Sequence, residues 1–215
     1  MKLCDDFLTT TQLLPLYIFN HIVFESEISM AFFSYEIDIE RPTRWTLVDT
    51  PDKKKGHLAL MGFPGLLIGA DSHSYIDPGW LSSTFNKLYE NNCRRFYTFA
   101  HPDDLPNSAY KQAQQAAISA GIHFQSLPIQ DFGIPNLSIA SEWKESLPEI
   151  LSALARDELI ALSCLSGIGR TGMMAADLLT YMGMNSKEAI QWVRQSKPEA
   201  IESTEQENWV GTKTP

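Results

Sequence analysis

Cysteine is scarce in this chain. Its 215 residues hold three, Cys4, Cys93 and Cys164, far apart and with no Cys-x-x-Cys pair. An odd, scattered set makes no disulfide framework and fits a reducing compartment, so the expected location is cytoplasmic. Cations are also short: 17 Lys and Arg against 26 Asp and Glu leave a net charge of -9. That balance excludes the broad positive surface of a general nucleic-acid binder and works against docking on anionic membranes. Any phosphorylated ligand must be held by a local positive site that works against the global field. The five histidines show no metal-ligand spacing, and none is arranged with an Asp and a Ser elbow, so zinc sites and hydrolase triads fall away. No apolar run is long enough to span a bilayer. The nearest, Leu13–Phe24, is broken by Pro15, Asn20 and His21 and follows Asp5-Asp6 instead of a basic region. It is read as a buried helix or strand segment.

What is present is an ordinary globular balance, 44% apolar and 20% charged, in a chain long enough to bury a core without metal or disulfide staples. Residues 53–215 are expected to form the functional domain, with 1–52 an N-terminal extension packed on it, of unassigned role. Within the extension, Met30–Glu40 has the period-two mixture of a strand, with Glu36, Asp38 and Glu40 on one face. Three aligned carboxylates suit either a hard metal or a solvated edge. From His57 the pattern is one of alternation. Strands are expected at His57–Met61, Leu66–Gly69, Arg94–Phe99, Ile122–Leu127 and Leu159–Cys164. Helices are expected at Trp80–Glu90, from a cap at Asn107 or Ser108 to Ala120, at Ser141–Ala155 and at Arg170–Met184. Two more follow, from a cap at Ser186 to Gln195 and at Thr204–Val210. Alternating strands and helices predict an α/β fold with a mainly parallel central sheet flanked by helices. The all-apolar run ending at Cys164 fits an interior strand covered on both faces. Ligands of such sheets sit at the carboxyl ends of the strands.

At that end lies Cys164-Leu165-Ser166-Gly167-Ile168-Gly169-Arg170-Thr171-Gly172, between the buried strand and an apolar helix. Strand, glycine-containing loop and helix N-terminus together make an anion site, with backbone N–H groups turned inward and the helix dipole favouring negative charge. The N–H groups of Leu165, Ser166, Gly167, Ile168, Gly169 and Arg170 are the candidate phosphate cradle. Arg170 adds a planar fork for two phosphate oxygens. Cys164 lies at the bottom, where positive surroundings favour a thiolate aimed at phosphorus. No Gly-Lys-Ser/Thr follows the glycines, so this is not a nucleotide-binding Walker loop.

Cys, five residues, Arg and then Thr resembles the signature of the cysteine-dependent protein tyrosine and dual-specificity phosphatases. Within that superfamily the chain looks most like the cyclin-dependent-kinase-associated phosphatase group. The supporting segments are Phe63-Pro64-Gly65, Phe96–Phe99 with Asp104-Leu105, the Pro128–Pro135 loop, residues 164–172, and Ala200-Ile201-Glu202 with Gln206. The resemblance covers about residues 57–210 and implies the cysteine-phosphatase fold. It also implies that Asp131, 33 residues before Cys164 on an Asp-x-x-x-Pro loop, is the general acid. An Asp ahead of Gly and Pro is also a common turn former.

The implied chemistry is metal-independent and needs no cofactor. Cys164 attacks phosphorus while Asp131 protonates the leaving oxygen, and Asp131 then helps water hydrolyse the phosphocysteine. Thr171 resembles the hydroxyl that eases release of the thiolate. Gln206 resembles the glutamine beside the attacking water, although it could equally be a solvated helix residue. The family usually has His before the nucleophile; here Ser163 stands there, as a hydroxyl substitute or a tolerated small residue. The expected substrate is phosphoprotein, at Tyr, Ser or Thr. The alternatives are a non-protein phosphate, such as an inositol phosphate or phosphoinositide, and a silent phosphate-binding module. Leu165, Ser166 and Ile168 are uncharged where phosphoinositide-directed relatives often carry lysine. Lys53–Lys55, Arg41, Arg44, Arg94 and Arg95 are the remaining cations that could line a mouth.

Overall fold

The computed structural model describes residues 44–51 and 56–212. The expectations for Leu13–Phe24 and Met30–Glu40, and for the Arg41 and Lys53–Lys55 cations, lie outside these residues. A five-stranded sheet organises the rest, in the order β1 (Thr46–Asp49), β2 (His57–Met61), β7 (Leu159–Ser163), β5 (Cys93–Thr98), β6 (His123–Ser126). β1 runs antiparallel to β2, and the other pairings are parallel. Thr46–Asp49 lie on the N-terminal side of the expected boundary at residue 52 but belong to the sheet.

The continuous apolar character of β7 has a simple cause. Ile160 and Leu162 face one core, with Leu58, Leu60, Tyr97 and Phe99 from the neighbouring strands. Leu159 and Ala161 face the other, with Ala59, Met61 and Phe96. Successive residues of a strand point to opposite faces, so a strand buried on both sides must be apolar at every position. The second face is covered by α1 (Pro78–Glu90) and α2 (Ala109–Ser119), through Leu81, Phe85 and Leu88 and the small stripe Ala109, Ala113 and Ala117. The first is covered by α3 (Leu137–Ala155), α4 (Gly169–Tyr181), α5 (Ser186–Ser196) and α6 (Thr204–Gly211), with Trp143, Met173, Met174, Leu178 and Val193 buried against it. Among the described residues no helix is long and apolar enough to cross a membrane.

Several boundaries differ from the sequence reading, for local reasons. α3 starts four residues early because Asn136 supplies the cap, its side chain accepting from Ile139 N at 3.0 Å. Asn185, not Ser186, caps α5 in the same way. Ser108 precedes α2 in a left-handed conformation and makes no side-chain cap. A strand with no sequence signal, β4 (Ser74–Ile76), pairs with β3 (Leu66–Ile68) in a small separate hairpin. Three residues, two of them exposed, carry too little periodicity to be read.

Trp143 ties the helical layer to the sheet. Its ring meets Tyr97 and Phe99 edge-on, each at 5.7 Å. Its indole N–H donates to Asp177 Oδ2 at 2.7 Å in a fully buried setting. Asp177 lies two turns beyond Arg170 on α4, so this bond joins α3 to the helix that begins at the Cys164 loop. Trp143→Phe keeps an aromatic ring but removes the donor from a buried carboxylate. We expect it to cost about 1–3 kcal/mol, read as a lower urea midpoint at unchanged m-value. An unchanged midpoint would show that the indole bond contributes nothing to stability.

Candidate active site

The carboxyl ends of the four parallel strands meet at one sheet edge, where Met61, Ser163, Thr98 and Ser126 stand in register. The residues that follow them build the site. Cys164 leaves β7, the loop 165–168 turns, and α4 begins at Gly169. Gly167 has φ +76°, and a Cβ there would lie 2.3–2.5 Å from the Met61 carbonyl, so no other residue fits without moving β2. At Gly169 a Cβ would fall 2.1 Å from Glu202 Oε2, which shows how closely the 200–202 segment leans on the loop. Phe63 N donates to Leu165 O at 3.1 Å, pinning the outer side of the cradle to the chain after β2. The residue before α4 is Ile168, with no side-chain cap, so the first amides of this 13-residue helix are not taken up by a side-chain oxygen.

Cys164 is buried, and its sulfur accepts from Gly167 N at 3.2 Å. Ser163, also buried, turns its hydroxyl to Cys164 O at 3.2 Å and so engages the backbone of the loop. Arg170 is only 2% exposed in the first turn of α4. Nη1 donates to Asp104 Oδ2 at 2.5 Å and to Ile129 O at 2.9 Å, while Nη2 lies 2.9 Å from Asp131 Oδ1. Burial alone would push the guanidinium pKa down. The hydrogen-bonded Asp104 carboxylate and the charges of Cys164 and Asp131 outweigh it and hold the group above its ordinary value.

Asp131 is half-exposed on a turn closed by Gly133 N donating to Gln130 O at 3.0 Å. Its neighbour Phe132 is exposed at φ +56°, a conformation uncommon outside glycine. The turn is held on one flank by Ser203 Oγ, which donates to Phe132 O at 3.0 Å, and by Gln206 Nε2, 3.4 Å from Gly133 O. On the other flank Ile129 N donates to Phe99 O at 3.1 Å, beyond the end of β5. Gln206 is fully buried, with Oε1 accepting from Glu202 N at 2.9 Å, so it is no solvated helix residue. Thr171 is buried, and among the described residues its hydroxyl has no hydrogen-bond partner.

The structure thus gathers Cys164, the 165–170 loop, Asp131 and Arg170 at one edge, with Gln206 bridging the acid turn and the 200–202 segment. Two partners were not assigned from sequence: Asp104, which holds Arg170, and His101, which caps the 3-10 turn Pro102–Asp104. The readable signal was a Pro-Asp-Asp turn just past the carboxyl end of a parallel strand. Arg94 and Arg95 lie at the opposite end of β5. Arg94 stacks over Tyr89 and Arg95 pairs with Glu149, so neither lines the mouth.

A family described as "Polymorphic toxin system, DSP-PTPase phosphatase" matches residues 72–184, just over half of the chain. The chain belongs to that family. It is a member of the cysteine-based tyrosine and dual-specificity phosphatase superfamily, and its sheet and helices form the cysteine-phosphatase fold. Among curated relatives, protein tyrosine phosphatase domain-containing protein 1 of Danio rerio is 28% identical over 99 residues, which are 46% of this chain and 13% of that protein. Protein tyrosine phosphatase type IVA A of Dictyostelium discoideum is 25% identical over 138 residues, covering 64% of this chain and 81% of the relative. In structure the chain is similar to kinase associated phosphatase carrying Ser at its catalytic-site Cys. The TM-score is 0.62 at 20% identity, over 79% of this chain and 93% of that one.

The second described cysteine of the chain is inert by position. Cys93 pairs in register with Leu159, at the opposite end of the strands from Cys164. A separation of roughly 15 Å along the sheet forbids a disulfide between them. Burial pushes the Cys93 thiol up to about 12. Under native conditions at about pH 8.5, iodoacetamide should therefore modify Cys164 at least tenfold faster than Cys93, and vanadate should slow the reaction at Cys164 alone. Peptide mass mapping reads both sites. Equal labelling of the two would contradict the buried, neutral state assigned to Cys93.

Proposed function

We propose that this protein hydrolyses phosphomonoesters on phosphoprotein, without a metal, through a phosphocysteine intermediate. The observation that carries the reading is the 2.9 Å contact between Arg170 Nη2 and Asp131 Oδ1, which brings the candidate acid to the rim of the cradle above Cys164. A phosphate reaching the loop competes with Asp131 for Nη2. It offers the guanidinium two oxygens where the carboxylate now uses one, and so releases Asp131 toward the leaving group.

In the first step the Cys164 thiolate forms a bond to phosphorus as the ester P–O bond breaks, and Asp131 gives its proton to the departing oxygen. In the second, Asp131 takes a proton from water as that water attacks phosphorus. The P–S bond then breaks, regenerating the thiolate and releasing inorganic phosphate. The loop N–H groups and Arg170 carry the charge on the equatorial oxygens in both steps. Gly167 N, already directed at the sulfur, holds it in place beneath the phosphate in both steps. Thr171 is assigned the hydroxyl that assists thiolate departure, and Gln206 the amide that orients water. A reducing compartment keeps the nucleophile a thiol.

Protein substrates are favoured over polyphosphorylated ones by the charge around Arg170. Asp104 and Asp131 contact it directly, Glu202 leans on Gly169, and the loop carries no lysine. A substrate with several phosphates would meet these carboxylates at the mouth.

The test is hydrolysis of an aryl phosphate by metal-free protein, followed by a panel of phosphotyrosyl and phosphoseryl peptides and inositol phosphates. Cys164→Ser should abolish turnover. Asp131→Ala should lower kcat by about 10²–10⁴-fold, with vanadate inhibiting the wild type. Turnover that survives Cys164→Ser would overturn the mechanism. Binding of phosphate without turnover would support a phosphate-reading module, and a preference for inositol phosphates would replace phosphoprotein as the substrate.

A further inference from the structure

His101 belongs to no part of the chemistry described so far, yet it sits between the two segments that supply carboxylates to Arg170. It follows β5 at the site edge, and its ring is about one-fifth exposed. Its backbone N–H donates to Asp104 Oδ2 at 3.1 Å, the same oxygen that receives Arg170 Nη1. Its ring Nδ1 lies 3.3 Å from Asp103 N, which it caps, and 3.4 Å from Asp103 Oδ2. On the other side of the ring, Nε2 lies 2.9 Å from the side-chain amide of Gln130.

Gln130 immediately precedes Asp131, and its carbonyl accepts the Gly133 N–H that closes the acid turn. Two arrangements satisfy the ring. With the proton on Nε2, Nδ1 accepts from Asp103 N and the Gln130 amide presents its oxygen. With the proton on Nδ1, the ring donates to Asp103 Oδ2 and accepts from the Gln130 amide N–H. In both, one imidazole is bonded to the Arg170-holding turn and to the base of the acid turn.

We propose that His101 is a positioning residue for proton transfer, a clasp that sets the acid turn, through Gln130, relative to the turn that orients Arg170. The proposal rests on the phosphatase reading above. Its physical basis is the tolerance of general-acid catalysis, which needs the donor within hydrogen-bond reach of the leaving oxygen. The Asp131 turn is partly exposed, and it is bonded to the ring through Gln130. If the clasp opens, Asp131 keeps its identity and loses its aim, whereas the phosphate cradle, built from 164–170, is untouched.

A loss confined to the acid has a signature that general destabilisation lacks. Phenols that are already good leaving groups need little protonation, and poor ones need it fully. The experiment measures kcat and KM for aryl phosphates spanning strongly to weakly acidic phenols, with wild type, His101→Ala, His101→Asn and Gln130→Ala. We expect His101→Ala to lower kcat/KM, which reports the steps up to the phosphocysteine and excludes its hydrolysis, about 10–100-fold on the poorest leaving group and less than about threefold on the best. Gln130→Ala should follow the same pattern without disturbing the 101–104 turn. In His101→Asn the shorter side chain still caps Asp103 N but cannot reach Gln130, so it should remain impaired on poor leaving groups. A uniform loss of kcat/KM across all phenols, full recovery in His101→Asn or wild-type behaviour of Gln130→Ala would each overturn the clasp. Wild-type protein that hydrolyses none of the phosphates overturns the phosphatase reading itself, and the clasp with it.

Discussion

A buried guanidinium sets the terms for the rest of this site. Arg170 is almost without solvent, and taking a cation out of water costs several kcal/mol unless its protons find partners. Three acceptors provide them: the Asp104 carboxylate, the Ile129 carbonyl and the Asp131 carboxylate. They come from two places in the chain, the turn after β5 and the loop after β6 that carries both Ile129 and Asp131. The need to satisfy one side chain therefore draws together segments that share no local sequence relation. Because Asp131 is both the most exposed of the three partners and the candidate acid, the cation's third acceptor is also the one that a phosphate can replace.

The parallel sheet makes this convergence affordable in geometry. β2, β7, β5 and β6 end in register, so the chain emerging from each reaches the same edge. Close approach is then enforced by the absence of side chains. Gly167 lies against the Met61 carbonyl and Gly169 against Glu202, which packs the cradle between the chain after β2 and the 200–202 segment. The Trp143–Asp177 bond anchors α4 from below, holding the helix whose first turn carries Arg170. In the proposed mechanism, the helix on one side binds charge and the partly exposed acid turn on the other moves a proton.

Much of this was legible in the residues. The alternation of patterns gave a mainly parallel α/β sheet, and the apolar residues Leu159–Leu162 of the expected strand Leu159–Cys164 announced the interior strand. Cys164, Gly167, Gly169 and Arg170 could be read as a loop before a helix because the backbone demands of an anion cradle are local and leave a local mark. Asp131 could be paired with them because one helix and one strand separate the two loops, which returns the chain to the same edge. The hairpin strand Ser74–Ile76 was not legible, since three residues with two exposed have no pattern to show. Gln206 was legible as a residue but not as a setting: it is buried and bonded to the acid turn and to Glu202 N, which its helical surroundings did not suggest.

The sequence by itself determined most of the elements from His57 onward, their order, the candidate phosphate-binding loop and the candidate nucleophile, because each depends on residues within about ten positions of one another. Only the tertiary structure decided what Arg170 binds, since Asp104 precedes it by 66 residues and Ile129 by 41. The same holds for His101, whose partner Gln130 lies 29 residues away. It also decided what Arg94 and Arg95 contact, Tyr89 and Glu149, although their number and charge alone would have suited a phosphate mouth. The physical reason is common to all three. Propensity and periodicity are properties of neighbours along the chain, whereas the partner of a buried charge is whichever acceptor the packed sheet edge brings within hydrogen-bond distance.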